Sequence, residues 1–129
     1  MIRIDTSDAP TLVRYTFEEE WSTRDLIERR QELIRAGQLT AKSCVLFDLR
    51  RAATFPPLEE LQAAIDAITA DAIWPACRAF LVTTPQQFDL ARQLQSLMGP
   101  RAVISETFQD EMEAMEWLSA FAGRTHSIR

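Results

Sequence analysis

The stretch Cys44-Val45-Leu46-Phe47-Asp48-Leu49-Arg50-Arg51 constrains this chain more than any other. Five of its first six residues are apolar, and then it turns basic. A β-strand covered on both faces reads in this way as it leaves a core. The rest of the chain must therefore supply cover for two faces of a sheet. It has 129 residues, of which 47 % are hydrophobic and 26 % charged, enough for one core and ordinary for a globular domain. Three glycines and six prolines leave no room for a low-complexity linker.

The cover is legible in chain order. Met1 to Asp5 and Thr11 to Phe17 alternate apolar and polar, with Asp8-Ala9-Pro10 between them, which predicts a β-hairpin. Ser22 with Asp25 reads as a capping box opening a helix, with Leu26, Ile27, Arg30, Leu33 and Ile34 on its inner face and Gly37 as its stop. After the central strand, Pro57 suits the first turn of a second helix, with Leu58, Leu61, Ala64, Ile65 and Ile68 as its stripe. Ala79 to Val82 is a short apolar strand. Thr84-Pro85 opens a third helix that draws its buried side from Phe88, Ala91, Leu94, Leu97 and Met98 and stops at Gly99-Pro100. Ala102-Val103-Ile104 is a last strand. Asp110 caps a final helix with Ala114, Met115, Trp117, Leu118 and Phe121 inward. The order predicts an α/β fold: a mixed, mainly parallel sheet of about five strands opened by a hairpin, with about four helices. Residues 1–122 form a single domain in this reading, and 123–129 are too polar to pack and form a disordered tail.

Several function classes fit poorly. A net charge of -5 opposes nucleic-acid binding, which calls for a basic stripe. Cys44 and Cys77 each begin an apolar run and have no histidine cluster beside them, so they read as buried free thiols rather than metal ligands. A disulfide between them requires neighbouring strands, which spacing does not settle. The start lacks a signal peptide's long apolar region, and no run reaches the ~18 apolar residues of a membrane span. The expected location is cytoplasmic. There is no glycine-rich phosphate loop, no nucleophile elbow and no zinc-protease motif. The single histidine, His126, lies in the polar tail, where it cannot hold a catalytic base in place. No catalytic residue, metal or cofactor is expected, and the chain reads as non-enzymatic.

The residues with chemistry to offer cluster at the exit of the central strand. Asp48 is its one acid, suited to orienting a ligand or partner or to accepting hydrogen bonds from the neighbouring loop. Arg50 and Arg51 stand just beyond a strand's carboxyl end, where open α/β sheets bind ligands, and could equally pair with Glu59 or Glu60. Thr54 adds a hydroxyl near a helix start. Phe55, beside two prolines, either marks a contact surface or folds over the core.

Three stretches carry a family resemblance: the hairpin end Phe17-Glu18-Glu19-Glu20-Trp21, the strand Val45-Leu46-Phe47-Asp48-Leu49-Arg50, and the closing Phe108-Gln109-Asp110-Glu111-Met112-Glu113-Ala114-Met115-Glu116-Trp117-Leu118. In this order and spacing the chain resembles the SpoIIAA-like proteins of the STAS superfamily, and more narrowly small bacterial STAS/SEC14-like proteins, over nearly its whole length to Ala122. The resemblance implies a protein-interaction or regulatory module rather than an enzyme, with a protein partner. A homodimer through a sheet edge or a helix face is also open to the chain. The alternative that the resemblance implies is a carrier or sensor of a small amphipathic or anionic ligand held in a partial groove. In the antagonists of that superfamily a phosphorylatable serine follows the central strand in a D-S-S-G-like segment. Here Ala52-Ala53-Thr54-Phe55-Pro56-Pro57 holds neither serine nor glycine, and Thr54 is its only hydroxyl. The usual phosphorylation switch is therefore not expected.

Overall fold

The computed structural model describes residues 1–69, 74–98 and 104–127. Its elements follow the order β1 (Ile2–Asp5), β2 (Leu12–Glu19), α1 (Thr23–Arg35), β3 (Cys44–Ala52), α2 (Leu58–Thr69), β4 (Cys77–Leu81), α3 (Pro85–Met98), β5 (Ile104–Phe108) and α4 (Glu111–Ser127). The strands lie side by side in sequence order. β1 and β2 are antiparallel, and every later neighbour is parallel. The expected mixed α/β architecture is thus the observed one.

Steady progression across the sheet with one hand of crossover places successive crossover helices on the same face. α1, α2 and α3 accordingly share one side. Leu33, Leu61, Ile65, Leu90 and Ala91 pack there against Val45, Leu49, Phe80 and Val82. α4 takes the other side, where Ala114 and Leu118 meet Cys44, Leu46, Ala79 and Leu81. β3 feeds both clusters through its period of two, and that is why its sequence is an apolar run rather than an alternation.

Local signals set the helix ends. Ser22 Oγ accepts the Asp25 N–H at 3.1 Å, the forward half of a capping box. Gly37 follows α1 at φ +72°, a left-handed value that suits glycine. Thr84 Oγ1 accepts the Gln87 N–H at 3.1 Å, and Pro85 is the first residue of α3. Asp110 Oδ2 accepts the Glu113 N–H at 3.4 Å ahead of α4.

Some expectations need adjustment. Leu58, the first residue of α2, is 54 % exposed and not part of the buried stripe. Phe88 is 39 % exposed, and Leu90 and Gln87 take the inner face of α3 instead. The last described strand is Ile104–Phe108, a polar edge strand that no apolar run announces; Ala102 and Val103 lie outside the described residues, as does the Gly99-Pro100 stop. The backbone of Gly123 to Ser127 continues α4, while Ile128 and Arg129 lie outside the described residues.

Candidate functional site

The exit of β3 is shaped by a bulge. Thr16 pairs with Asp48 and Glu18 with Arg51, so Leu49 and Arg50 together oppose Phe17. Leu49 and Ala52 therefore both turn toward the three-helix layer. Asp48 Oδ1 accepts the Arg50 N–H at 3.1 Å, and this local bond stabilises the bend.

Asp48 is 3 % exposed and fully engaged. Arg50 grips it with two parallel bonds, Nε to Oδ1 at 3.0 Å and Nη2 to Oδ2 at 2.9 Å. Arg14 on β2 donates to Oδ2 at 2.7 Å. Both arginines also reach Glu111 in the first turn of α4, at 2.8 Å from Arg14 and 2.7 Å from Arg50. Two guanidinium groups and two carboxylates thus close a charge-balanced ring joining β2, β3 and α4. Burial alone would raise the Asp48 carboxyl, but the bonds from Arg50 and Arg14 outweigh it and hold Asp48 below the usual carboxylate range. The bond from Arg14 likewise lowers Glu111. Hydrogen bonding to Asp48 raises Arg50. Burial works against the charge of Arg14, yet the two carboxylates raise it. Both acids stay ionised at neutral pH, which suits them to holding charge in place and not to donating protons.

Gln87 supports the same exit from the other side of the sheet. It is 3 % exposed. Its Nε2 donates to the Arg50 carbonyl at 3.1 Å and to that of Ala52 at 3.5 Å. Its Oε1 accepts the N–H groups of Thr83 at 2.8 Å and Thr84 at 3.2 Å. One amide therefore ties the end of β3 to the start of α3.

The five residues singled out by sequence divide into two groups. Asp48, Arg50 and Arg51 border one open groove of about 410 Å³ over β1, β2 and β3, together with Arg3, Asp5, Arg14 and Thr16. Arg50 pairs with Asp48 and Glu111 rather than with Glu59 or Glu60. The Arg51 side chain is 67 % exposed and lies 3.9 Å from Glu18. Thr54 stands apart, exposed in a second groove with Glu18, Glu19, Glu20 and Ala53, its N–H bonded to the Glu19 carbonyl at 3.3 Å. Phe55 folds over the core as a half-buried residue.

Sequence reasoning missed Arg14, Gln87 and the pairing role of Glu111. Arg14 is one polar position of an alternating strand, and Glu111 looks like an ordinary acid at a helix start. They are 97 positions apart, so no local spacing connects them. Gln87 is a rare buried amide on a helix whose polarity suggests solvent.

A cavity of about 60 Å³ lies under the three helices, lined by Tyr15, Phe47, Trp74 and Phe80 with Arg30 and Arg78. The Arg78 guanidinium sits 5.2 Å from the Phe47 ring centroid, and that of Arg30 sits 6.0 Å from the Trp74 ring. Burial lowers Arg78 to about 10 and raises the Tyr15 phenol to about 12. Trp21 also lines this cavity, and its Nε1 is buried with no acceptor among the described residues. Among the described residues no three histidine, cysteine or acidic side chains converge as a metal site. No described helix is long and apolar enough to cross a membrane.

Comparison with known proteins speaks to the fold. No family model matches the chain, and no curated protein matches it significantly. Among solved structures, an uncharacterized protein of the DUF3478 family from Shewanella loihica PV-4, described as having a SpoIIAA-like fold, aligns with a TM-score of 0.63. The alignment covers 92 % of each chain at 16 % identity. SpoIIAA, a cell fate determinant of Bacillus captured in its phosphorylated form, aligns with a TM-score of 0.50 over 92 % of this chain and 99 % of its own, at 13 % identity. The architecture of this chain is a SpoIIAA-like fold.

Proposed function

We propose that this chain is a non-enzymatic STAS-like interaction module that docks a protein partner over the groove at the exit of β3. The observation that carries the reading is the open half of the α4 face. α4 packs on β3, β4 and β5. The groove beside it exposes Arg51 and Arg3, with side chains 67 % and 62 % accessible, above the braced pair Asp48 and Arg50. Arginine on a rigid, pre-ordered surface is favoured at protein interfaces. Asp48 and Arg50 act in this reading as positioning residues, Arg51 and Thr54 as contacts, and Phe55 as the floor that fixes the intervening loop. The partner presents mixed charges with acids opposite Arg51. The module works in the cytoplasm and without the serine switch of the antagonists, since the 53–57 loop offers only Thr54.

The test is calorimetry with a partner first identified by capture and then purified. Arg51→Glu should weaken binding at least ~10-fold, as expected for reversing a charge at an interface, with an unchanged melting temperature. An unaltered dissociation constant would remove this surface from the function.

A second reading, a carrier or sensor of a small amphipathic anion, is favoured by the cavity under the three helices. Two guanidinium groups, a ring of aromatic faces and the unmet Trp21 donor suit a carboxylate or phosphate ester carrying an apolar group. The present volume holds a few waters, so a ligand would have to push the helices apart. Native mass spectrometry of gently purified protein tests it. A wholly ligand-free spectrum, with no thermal shift on adding fatty acids or lysophospholipids, would eliminate it.

A further inference from the structure

The two cysteines take no part in either reading. Cys44 opens β3, Cys77 opens β4, and the two are direct partners in register. Adjacent strands lie about 4.8 Å apart, inside the Cα separation that a disulfide spans. Both side chains are buried on the α4 side, beneath Ala114 and Leu118. Both are free thiols, and the Cys77 thiol faces the Cys44 sulfur in direct contact. Cys44, itself 0 % exposed, lies at the floor of a groove of about 380 Å³ with Asp8, Thr11, Leu12, Met115, Leu118 and Ser119, which Cys77 does not reach.

We propose that Cys44 and Cys77 are a peroxide-oxidisable dithiol, a modification site at which Cys44 is oxidised first and Cys77 resolves it. The oxidant is hydrogen peroxide or a small hydroperoxide entering by the groove. The Cys44 thiolate attacks one peroxide oxygen, the O–O bond breaks, and the departing hydroxide takes a proton to become water. Cys44 is then a sulfenic acid. The Cys77 sulfur attacks the Cys44 sulfur, the S–O bond breaks, and the hydroxyl leaves as water with the Cys77 proton. Two thiols have lost two electrons and two hydrogens, and one hydrogen peroxide has become two waters. The charge bias agrees with this order. The hydrogen bond from Cys77 favours the Cys44 thiolate against the opposing effect of burial, while that bond and burial hold Cys77 protonated. The strands are already in register, so closure asks only for side-chain adjustment. This site stands independently of the docking surface.

The experiment treats freshly reduced full-length protein, freed of reductant, with stoichiometric hydrogen peroxide and follows intact mass and thiol titre. Both thiols should vanish together, with a mass loss of about 2 Da that dithiothreitol reverses, the signature of an intrachain disulfide. Folded protein should form only the intrachain link, whereas urea-unfolded protein should also gain oxygen or link between chains, because the fold holds the two sulfurs together. Cys77→Ala should accumulate a dimedone-trappable sulfenic acid on Cys44, and Cys44→Ala should react at least ~10-fold more slowly. Wild-type protein that keeps both thiols, gains oxygen without cross-linking, or links only between chains overturns the site, and that measurement depends on no variant. Equal rates in the two variants overturn the order of attack; Cys→Ser versions replace any alanine variant that does not fold.

Discussion

On the α4 face of β3, Asp48 and Arg50 lie in a ring of four charges that alternate in sign. On the opposite face, one residue along in either direction, Phe47 and Leu49 look into a cavity bordered by two arginines and a set of aromatic rings. The first arrangement neutralises charge with charge at a rim that water reaches. The second places positive charge against π faces in the interior, where burial displaces Tyr15 and Arg78 toward their neutral forms. One strand thus separates two electrostatic regimes with different sensitivities: the ring weakens in acid and salt, while in the interior it is the Tyr15 phenol that loses its contribution in alkali.

The largest expected effect is on the ring. Asp48→Ala leaves Arg14 and Arg50 without their buried acceptor and should destabilise the fold by about 3 kcal/mol. The lower end of the range for broken buried pairs applies, because both arginine side chains are about one-third exposed and can rehydrate. Urea denaturation measures it. Raising the salt to 1 M should shrink the difference, since screening weakens the pairs in the wild type. A difference that does not respond to salt would mean that Asp48 acts mainly through its bond to the Arg50 N–H.

The interior supplies the contrasting case. Tyr15 has a folded pKa of about 12 against about 10 when unfolded. A raised pKa means that its contribution is fully present below about pH 10 and is lost as pH rises through about 12. Linkage puts the loss at about 2–3 kcal/mol over that window. Arg78, lowered to about 10, responds in the opposite direction, so the wild-type curve alone mixes the two. Subtracting the curve of Tyr15→Phe leaves the phenol together with its coupling to Arg78, because both proteins carry Arg78. If the two curves run parallel from pH 9 to 12, the phenol is not confined as described.

Gln87→Ala should cost about 2 kcal/mol, since it strips partners from buried groups at both the β3 exit and the start of α3. This residue also shows where sequence reading stops. Apolar periodicity, caps at Ser22 and Thr84 and the run at Cys44–Leu49 made the layers legible, because those signals act over one or two turns. The exit of β3 was legible as a place. Its wiring was not, because Arg14, Gln87 and Glu111 reach it from three other elements. A surface arginine, a helical glutamine and an acid in a helix's first turn are common, and only the fold makes them neighbours. The partition of Thr54 and Phe55 away from Asp48 had a similar cause: the bulge at Leu49–Arg50 redirects the chain, and nothing in the sequence announces it.

The smallest effect is the most selective one. Glu111→Gln keeps a hydrogen-bond acceptor for Arg14 and Arg50 but removes a charge from the ring and from the positive end of α4. The Glu111 side chain is 44 % exposed, so solvent screening limits the expected cost at neutral pH to about 0.5 kcal/mol. Its sign with pH is fixed by the lowered carboxyl. The contribution is fully present above the unfolded carboxylate pKa and disappears as pH falls through the lower folded one. The gap between wild type and Glu111→Gln should therefore close in acid, whereas the gap between wild type and Tyr15→Phe changes only in alkali. If the Glu111→Gln gap instead persists unchanged to pH 3, the carboxylate serves α4 through packing or capping, and the two faces of β3 do not differ in the way their geometry implies.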